Sequence, residues 1–200
     1  MRIIAGKYKR TPIKTLEGED ITRPTRDMVK EALFSSIEIN SDTRFLDLFS
    51  GTGGIGLEAL SRGAKDAVFN DLNKQAVRII NTNLEKVHEN RMVLNLDYQE
   101  CLKRLENEKF DYIFCDPPYD FKAYEDLFFY VNKYNLLDKK GIMIVEIRKD
   151  TDLKQDYLGI KLYKEKKYGI TKLLYYRKEE IWLEQFIQVH SILSLLGILM

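Results

Sequence analysis

Short apolar segments alternate along this chain with segments in which apolar residues recur every three or four positions. The first pattern predicts β-strands and the second predicts amphipathic helices. Strands separated by helices at this spacing predict a parallel sheet with helices on both faces, a three-layer α/β sandwich. The predicted strands are 44–49, 67–71, 92–96, 110–115 and 141–147, and the predicted helices between them are 54–62, 73–88, 98–105 and 124–134.

The two ends of the chain depart from this alternation. Near the start, Thr25 is the predicted N-cap of an amphipathic helix that runs through Ile39. Two strand-like runs, 160–167 and 170–177, meet at Tyr168-Gly169 and predict an antiparallel hairpin. Residues 181–200 are apolar, but polar side chains interrupt them below the roughly 20 residues of a membrane span, which favours a packed or partner-binding helix.

Composition narrows the classes of protein that the chain can represent. Its 200 residues are 44% hydrophobic, enough for one core, which argues against a disordered protein. The two cysteines, Cys101 and Cys115, form no CxxC pair, so neither a disulfide scaffold nor a zinc site is expected. The N-terminus becomes basic before any long apolar run, which predicts no signal peptide and a cytoplasmic location.

Two basic segments flank a mildly acidic centre, although the net charge is only +1. Residues 1–16 carry no acid, and residues 161–178 carry one, Glu165. Such segments are either contacts for RNA phosphates or solvated faces of edge strands. The candidate RNA contacts are Arg2, Lys7, Lys9 and Arg10, with Arg23 and Arg26 just beyond them.

The strongest local motif follows the first strand of the alternating region. Gly51, Gly53 and Gly56 fit the G-x-G-x-x-G pattern, in which a glycine turn lets backbone approach a nucleotide-like ligand. Asp71 ends the next strand, where a carboxylate accepts the ribose hydroxyls. Dinucleotide enzymes and S-adenosylmethionine (AdoMet) enzymes share these features. The predicted cofactor site also includes Ser50, Thr52 and Leu72.

Two further acids bear on the choice of cofactor. Asp47 ends the first strand, where a carboxylate would repel a pyrophosphate but attract the sulfonium and ammonium groups of AdoMet. Asp97 follows the third strand and is predicted to accept from the adenine amino group, to cap the following helix, or to do both. The pattern therefore favours AdoMet, without a metal.

A second motif, Asp116-Pro117-Pro118-Tyr119, ends the fourth strand. Ligands of open parallel sheets bind at the carboxyl ends of the strands, so this motif should lie beside the glycine turn. The Asp116 carboxylate and the Pro117 carbonyl are predicted to accept the two hydrogens of a planar –NH2 group. Tyr119 offers a ring on which a base stacks. Together these residues favour N-methylation, which needs positioning and electrostatics but no nucleophilic side chain.

Four separated motifs resemble the bacterial 16S ribosomal RNA guanine-N2 methyltransferase family over about residues 1–180. They are the opening 1–9, Arg23-Pro24-Thr25 leading into 30–34, the glycine-turn segment 46–53, and 116–119. The resemblance implies a class I AdoMet methyltransferase, Rossmann-like, with a seven-stranded, mostly parallel sheet whose last strand is antiparallel. It also implies a basic extension with a capping helix at 1–40 and a methyltransferase domain at 41–180, but it gives no account of the apolar tail of unknown role at 181–200.

The resemblance further implies the substrate and the roles of single residues. The substrate is a guanine in a P-site hairpin of 16S rRNA, presented in an assembled or assembling small subunit. Asp71 is the ribose acid, 116–119 is the catalytic loop, and Arg23 and Thr25 belong to a segment that caps the active site. Asn70 stands where the family usually has valine, and no functional change is expected. We also expect a monomer without membrane association.

Other activities fit the sequence less well. DNA base methyltransferases usually add a recognition domain, and protein glutamine methyltransferases usually carry Asn at the position of Asp116 and a separate helical domain. A nicotinamide oxidoreductase would leave 116–119 unexplained. A non-catalytic RNA-binding assembly factor also remains an alternative.

Overall fold

The structure, a computed structural model, describes residues 1–16 and 23–179. Their backbone forms five helices and eight strands. The helices are α1 (Arg23–Phe34), α2 (Gly54–Ser61), α3 (Lys74–Lys86), α4 (Tyr98–Arg104) and α5 (Tyr124–Lys133). The strands are β1 (Arg44–Asp47), β2 (Asp66–Asn70), β3 (Val93–Leu94), β4 (Phe110–Cys115), β5 (Leu137–Arg148), β6 (Asp156–Tyr157), β7 (Ile160–Tyr168) and β8 (Thr171–Lys178).

All eight strands join one sheet in the order β3-β2-β1-β4-β5-β8-β7-β6. The pairs from β3 through β5 are parallel, whereas β8 is inserted antiparallel between β5 and β7. This arrangement confirms the predicted mostly parallel sheet, its antiparallel last strand and the β7–β8 hairpin. The sheet also gains β6, a two-residue edge strand that the hydrophobic pattern does not predict.

Alternate side chains of the strands pack into two hydrophobic cores, one on each face. On β4, Ile113 packs into the core beneath α4 and α5, whereas Phe114 packs into the core beneath α1, α2 and α3. Met143 and Ile144 of β5 divide in the same way. The chain is therefore the predicted three-layer sandwich, and both cysteines are buried within it.

The first helix differs from the prediction at both ends. It begins at Arg23, two residues before the predicted cap Thr25, and Pro24 lies in its first turn, where a missing N–H costs nothing. It ends at Phe34 rather than Ile39. The hydroxyl of Ser36 donates to the carbonyl of Ala32, while the Ser36 N–H bonds to Leu33, three residues back, so the i to i−4 pairing of the helix stops here.

Residues 1–16 form an irregular hairpin that packs along α2 and α3. Glu58 of α2, which has no exposed surface, accepts from the backbone N–H groups of Ile4 at 2.7 Å and Ala5 at 3.0 Å. The same carboxylate accepts from Arg62 Nε at 2.9 Å and lies 3.8 Å from Lys30 Nζ. One buried carboxylate thus joins the N-terminal hairpin to α1 and α2.

Candidate active site

The carboxyl ends of β1, β2 and β4 are adjacent because these strands are parallel neighbours. Asp47 is the last residue of β1, Asp71 follows β2, and Asp116 follows β4. Both Asp116 and Asp71 act electrostatically on Asp47. The structure therefore brings together the three carboxylates that the sequence analysis placed at one site.

The glycine turn between β1 and α2 is shaped for close approach by a ligand. Gly51 and Gly53 have φ values of 53° and 79°, a left-handed region that disfavours other residues. A Cβ added at Gly51 would meet no atom within 4 Å, so open space lies beside it. A Cβ added at Gly56 would lie 2.3 Å from a ring carbon of Phe69, so this glycine serves helix–sheet packing instead.

The remaining two residues of the turn, Ser50 and Thr52, are buried. The Ser50 hydroxyl donates to the Asp47 carbonyl at 2.6 Å, and the Thr52 carbonyl accepts from Asn83 Nδ2 at 3.0 Å. The Ser50 side chain and the Thr52 carbonyl therefore hold the turn from within the fold, and a ligand would meet the backbone of this segment.

Asp47 is almost completely buried, at 1% exposure, and Oδ2 accepts from the Gly56 N–H at 3.0 Å. Burial raises the pKa of Asp47 to about 7, and the nearby Asp116 and Asp71 act in the same direction, against the Gly56 hydrogen bond. No ion pair joins Asp47 to a basic side chain in the part of the chain that the structure describes. A cationic ligand would relieve this unfavourable burial of negative charge.

Asp71 is held by backbone donors on both sides of the site. Its Oδ2 accepts from Gly51 N at 2.8 Å, and its Oδ1 accepts from Asn73 N at 2.8 Å. The next residue, Leu72, is 70% exposed, so an apolar surface adjoins the carboxylate. Acid, glycine turn and apolar side chain together match the expected position of a ribose and a base.

Asp97 is the N-cap of α4, as one of its two interpretations predicts. Its Oδ1 accepts from Gln99 N at 2.8 Å and from Glu100 N at 3.0 Å. Both bonds end on Oδ1, which leaves Oδ2 as the oxygen for an adenine amino group, a role that stays a prediction.

The Asp116–Tyr119 loop projects from the end of β4. Asp116 and Pro118 are exposed, Pro117 is buried, and Tyr119 is 81% exposed. The Pro118 carbonyl accepts from Phe121 N at 2.9 Å, which closes the turn behind the tyrosine. The acid and the ring are therefore presented outward on a backbone that two prolines stiffen.

Four aromatic side chains that the sequence analysis did not single out pack beside this loop. Phe121 has ring centroids 5.7 Å from Phe49, 5.4 Å from Tyr98 and 5.0 Å from Tyr124. These rings come from the ends of β1 and β4 and from the first turns of α4 and α5. The signal that was available is the position of three of them, since Phe49 ends a predicted strand and Tyr98 and Tyr124 each begin a predicted helix.

Asn70, the departure from the usual valine, fastens three strand ends together. Its Nδ2 donates to the carbonyls of Leu48 and Leu96, each at 3.1 Å, and its Oδ1 accepts from Leu96 N at 3.2 Å. The residue is 2% exposed, so its polar atoms are satisfied internally. Asn70 therefore supports the site from beneath, where it cannot touch a ligand.

Three of the six predicted RNA contacts, Lys7, Lys9 and Arg10, lie at the hairpin tip, away from the strand ends. The Lys7 N–H donates to the carbonyl of Ser61, the last residue of α2, so the hairpin tip lies one helix length from the glycine turn. Lys7 Nζ is also paired with Glu89 at 2.8 Å. Arg2, Lys9 and Arg10 are exposed. The side chains of Arg23, Thr25 and Arg26, and the whole tail 181–200, lie outside the described residues.

Comparison with known proteins assigns the chain to a family. The profile of the family described as conserved hypothetical protein 95 matches residues 1–177. The chain belongs to this family.

Relatives of the chain include proteins named as methyltransferases. Ribosomal RNA small subunit methyltransferase D of Haemophilus influenzae is 35% identical over 158 residues, and the match covers 76% of this chain and 81% of that one. A solved Haemophilus influenzae structure, provisionally described as a methylase, superposes with a TM-score of 0.73 at 32% identity, covering 90% of this chain and 99% of that one.

A more distant structure shows the same fold. The Thermus thermophilus 16S rRNA N2 G1207 methyltransferase, solved with AdoMet and guanosine, has a TM-score of 0.67 at 20% identity. The match covers 82% of this chain and 45% of that one. The family member described here therefore has the class I methyltransferase fold that the sequence predicts.

The described residues hold neither a candidate metal site nor a membrane-spanning helix. Residues 1–16 and 23–179 contain no group of three or more His, Cys, Asp or Glu side chains placed to hold a metal ion. Within the same ranges, no helix has both the length and the apolar character needed to cross a bilayer.

Proposed function

We propose that this chain transfers a methyl group from AdoMet to the exocyclic N2 of a guanine in 16S rRNA of the small ribosomal subunit. The coarser activity, AdoMet-dependent methylation of rRNA, rests on family membership and on relatives named for that activity. The finer choice of atom and base rests on the loop after β4.

The observation that carries the proposal is the exposed pair Asp116 and Tyr119 beside the glycine turn. The carboxylate and the aromatic ring are separated by two prolines that stiffen the loop. Together they suit a flat base that bears an –NH2 group. Guanine has such a group at N2. The Thermus thermophilus structure solved with AdoMet and guanosine is named for a methyltransferase that acts on N2 of a guanine in 16S rRNA. That name supports the same choice here.

The residues present fit AdoMet. The buried carboxylate of Asp47 suits the cationic portion of the cofactor, and Asp71 suits its ribose hydroxyls. The open space at Gly51 lets the backbone of the turn approach the ligand. When bound, AdoMet supplies a methyl group that passes from its sulfonium to the guanine nitrogen and leaves a neutral thioether.

The chain itself positions the base and accepts hydrogen bonds. In our proposal the Asp116 carboxylate and the Pro117 carbonyl accept the two N2 hydrogens, which turns the nitrogen lone pair toward the methyl group. The proton that the nitrogen releases once it is methylated passes to solvent, to which this loop is exposed. Tyr119 stacks on the base, a contact typically worth about 1–3 kcal/mol. Asp116 thus stabilises positive charge that develops mainly in the transition state.

The test is nucleoside mass spectrometry of 16S rRNA from cells that lack this protein. We expect the loss of one N2-methylguanosine, restored by the wild-type chain but not by Asp116→Ala. Asp120→Ala is the matched control, because it removes a neighbouring exposed acid of the same loop and should restore the modification.

The outcomes separate the parts of the proposal. Unchanged 16S rRNA would overturn it. Loss of a methyl group from another base or atom would keep rRNA methylation and overturn the assignment to guanine N2. Full restoration by Asp116→Ala would overturn the role given to this carboxylate.

A further inference from the structure

The candidate active site is acidic, yet its proposed substrate is a polyanion. Asp47, Asp71 and Asp116 converge at the strand ends, and Asp47 already has a pKa raised to about 7 by burial and by the other two carboxylates. RNA carries one negative charge for each nucleotide, so a cation that holds the phosphate of the target nucleotide would favour entry of its base into this site.

Arg148, the last residue of β5, lies beside the loop that bears Tyr119. Its Cζ is 6.0 Å from the centroid of the Tyr119 ring. Because β4 and β5 are parallel neighbours, the end of β5 and the loop after β4 lie at the same edge of the sheet. Both side chains are exposed, the ring at 81% and the guanidinium-bearing side chain at 51%. A cation therefore stands next to the ring on which the target base is proposed to stack.

The guanidinium is oriented by Asp150 but retains free donors. Its Nε donates to Asp150 Oδ1 at 3.1 Å, and its Nη2 donates to Oδ2 at 3.4 Å. Arginine has five N–H donors, and this pair uses two of them. The remaining edge, formed by Nη1 and Nη2, has the two parallel donors that bind phosphate oxygens.

Several other basic side chains of the region are already neutralised by acids. Lys172 is buried and its Nζ lies 3.2 Å from Asp152, whereas Lys154 Nζ lies 2.6 Å from Glu125. Arg148 differs from these lysines because its planar group serves an acid and a second anion at once.

We propose that Arg148 forms a phosphate subsite beside Tyr119, which binds the backbone phosphate of the nucleotide whose base stacks on that ring. Asp150 is a positioning residue that holds the guanidinium in place. The inference rests on the proposed function, because it takes the place of the target base from that proposal.

The experiment measures binding of small ribosomal subunits, isolated from cells lacking this protein, at salt concentrations from 50 to 200 mM. Arg148→Ala should weaken binding and reduce the log–log salt slope by about one unit. Arg148→Lys retains a positive charge but lacks the second donor edge, so it should keep more of the slope than Arg148→Ala does. Lys140→Ala, which removes one exposed charge from the opposite end of β5, is the matched control and should keep the whole slope.

Two companion measurements identify the cause of any change. AdoMet affinity, measured by calorimetry, should be unchanged in Arg148→Ala because the guanidinium serves the RNA. An unaltered salt slope in Arg148→Ala would overturn the subsite, even if turnover fell, because the guanidinium would then act only through the tyrosine ring. Equal loss of slope in Arg148→Lys and Arg148→Ala would also overturn it.

Failure of this inference is distinguishable from failure of the proposed function. If wild-type protein methylates guanine N2 and Arg148→Ala binds with an unaltered slope, only the phosphate subsite is wrong. If wild-type protein leaves 16S rRNA unmodified, the proposed function fails, and the phosphate subsite fails with it because no target base then stacks on Tyr119.

Discussion

The backbone N–H of Gly51 donates to the carboxylate of Asp71 across 2.8 Å, which joins the turn after β1 to the end of β2. The same carboxylate holds the N–H of Asn73 at the start of α3. Asp71 therefore holds together the two segments that border the candidate cofactor site. The two backbone bonds also fix the orientation of the carboxylate, whose remaining lone pairs can accept from a ligand.

Replacing Asp71 tests its part in cofactor binding. Asp71→Ala should weaken AdoMet binding by about 1.5–3 kcal/mol, the range for hydrogen bonds to a charged group. Asp71→Asn should lose less, because its amide oxygen still accepts from Gly51. Calorimetry measures the affinity, and Asp66→Ala at the opposite end of β2 is the control. Unchanged affinity in Asp71→Ala would remove this residue from the site.

The buried Asp47 should make stability depend on pH. Its pKa is raised from 3.8 to about 7 by burial, so between these values the folded protein binds more protons than the unfolded chain. Stability contributed by this group therefore falls as pH rises from about 4 to 7. Asp47→Asn should remove this dependence and raise the free energy of unfolding at pH 8 by up to a few kcal/mol, at about 1.4 kcal/mol per pKa unit.

Urea unfolding of the cofactor-free protein at pH 5 and pH 8 measures this difference. Equal pH dependence in wild type and Asp47→Asn would contradict the account. AdoMet should have the opposite preference, because its cationic groups need the ionised carboxylate. Its affinity for wild type should therefore decrease as pH is lowered below about 7, and Asp47→Asn should bind more weakly with little change over that range.

Two glycines of the turn should respond differently to the same substitution. Gly56→Ala places a methyl group against Phe69 and should destabilise the fold by about 1–3 kcal/mol through overpacking. Gly51→Ala meets no atom, so it should cost about 1–2 kcal/mol from its left-handed backbone, yet weaken AdoMet binding more strongly. Thermal unfolding and calorimetry separate the two effects, and identical profiles for both variants would refute the distinction.

The buried carboxylate of Glu58 should be important for stability. Glu58→Ala leaves two backbone donors without their acceptor and the buried Lys30 without its ion-pair partner, and breaking such a buried pair typically costs about 3–5 kcal/mol. Glu85→Ala, which removes an exposed acid from α3, should cost less than about 0.5 kcal/mol. Denaturant unfolding measures both, and similar values for the two variants would show that the N-terminal hairpin contributes little.

Variants of the loop after β4 should separate chemistry from binding. Asp116→Ala should lower the rate of methyl transfer by about 10²–10³ while changing RNA affinity little, because its contact strengthens in the transition state. Asp116→Asn keeps an acceptor oxygen and should retain partial activity. Tyr119→Ala should weaken RNA binding as well as rate, whereas Tyr119→Phe keeps the stacking face and should be nearly silent. Single-turnover assays with tritiated AdoMet measure all four, and full activity in Asp116→Ala would eliminate the proposed mechanism.

The parallel half of the fold could be predicted from the sequence because each element there has a clear local signal. The predicted strand 110–115 coincides with β4, and Asp47, Asp71 and Asp116 follow from their positions at strand ends. Local signals are also why the β7–β8 hairpin was found.

Features that depend on distant partners could not be predicted in this way. Glu58 looks like one more charged position of a short helix until residues 1–16 fold over it. Asn70 becomes a link between strands only when Leu48 and Leu96 are placed beside it. The pairing of Lys7 with Glu89 likewise removes a charge that the sequence alone would count as available.

The insertion of β8 between β5 and β7 has a consequence for synthesis of the protein. From Ile142 to Arg148, one edge of β5 pairs with residues 171–177 of β8. While the nascent chain is shorter than this, a largely apolar strand exposes its unpaired N–H and C=O groups, which is the kind of edge that recruits other chains. Translation stopped before Thr171 should therefore yield a product that aggregates. Synthesis of β8 is the step that pairs the exposed backbone groups of β5.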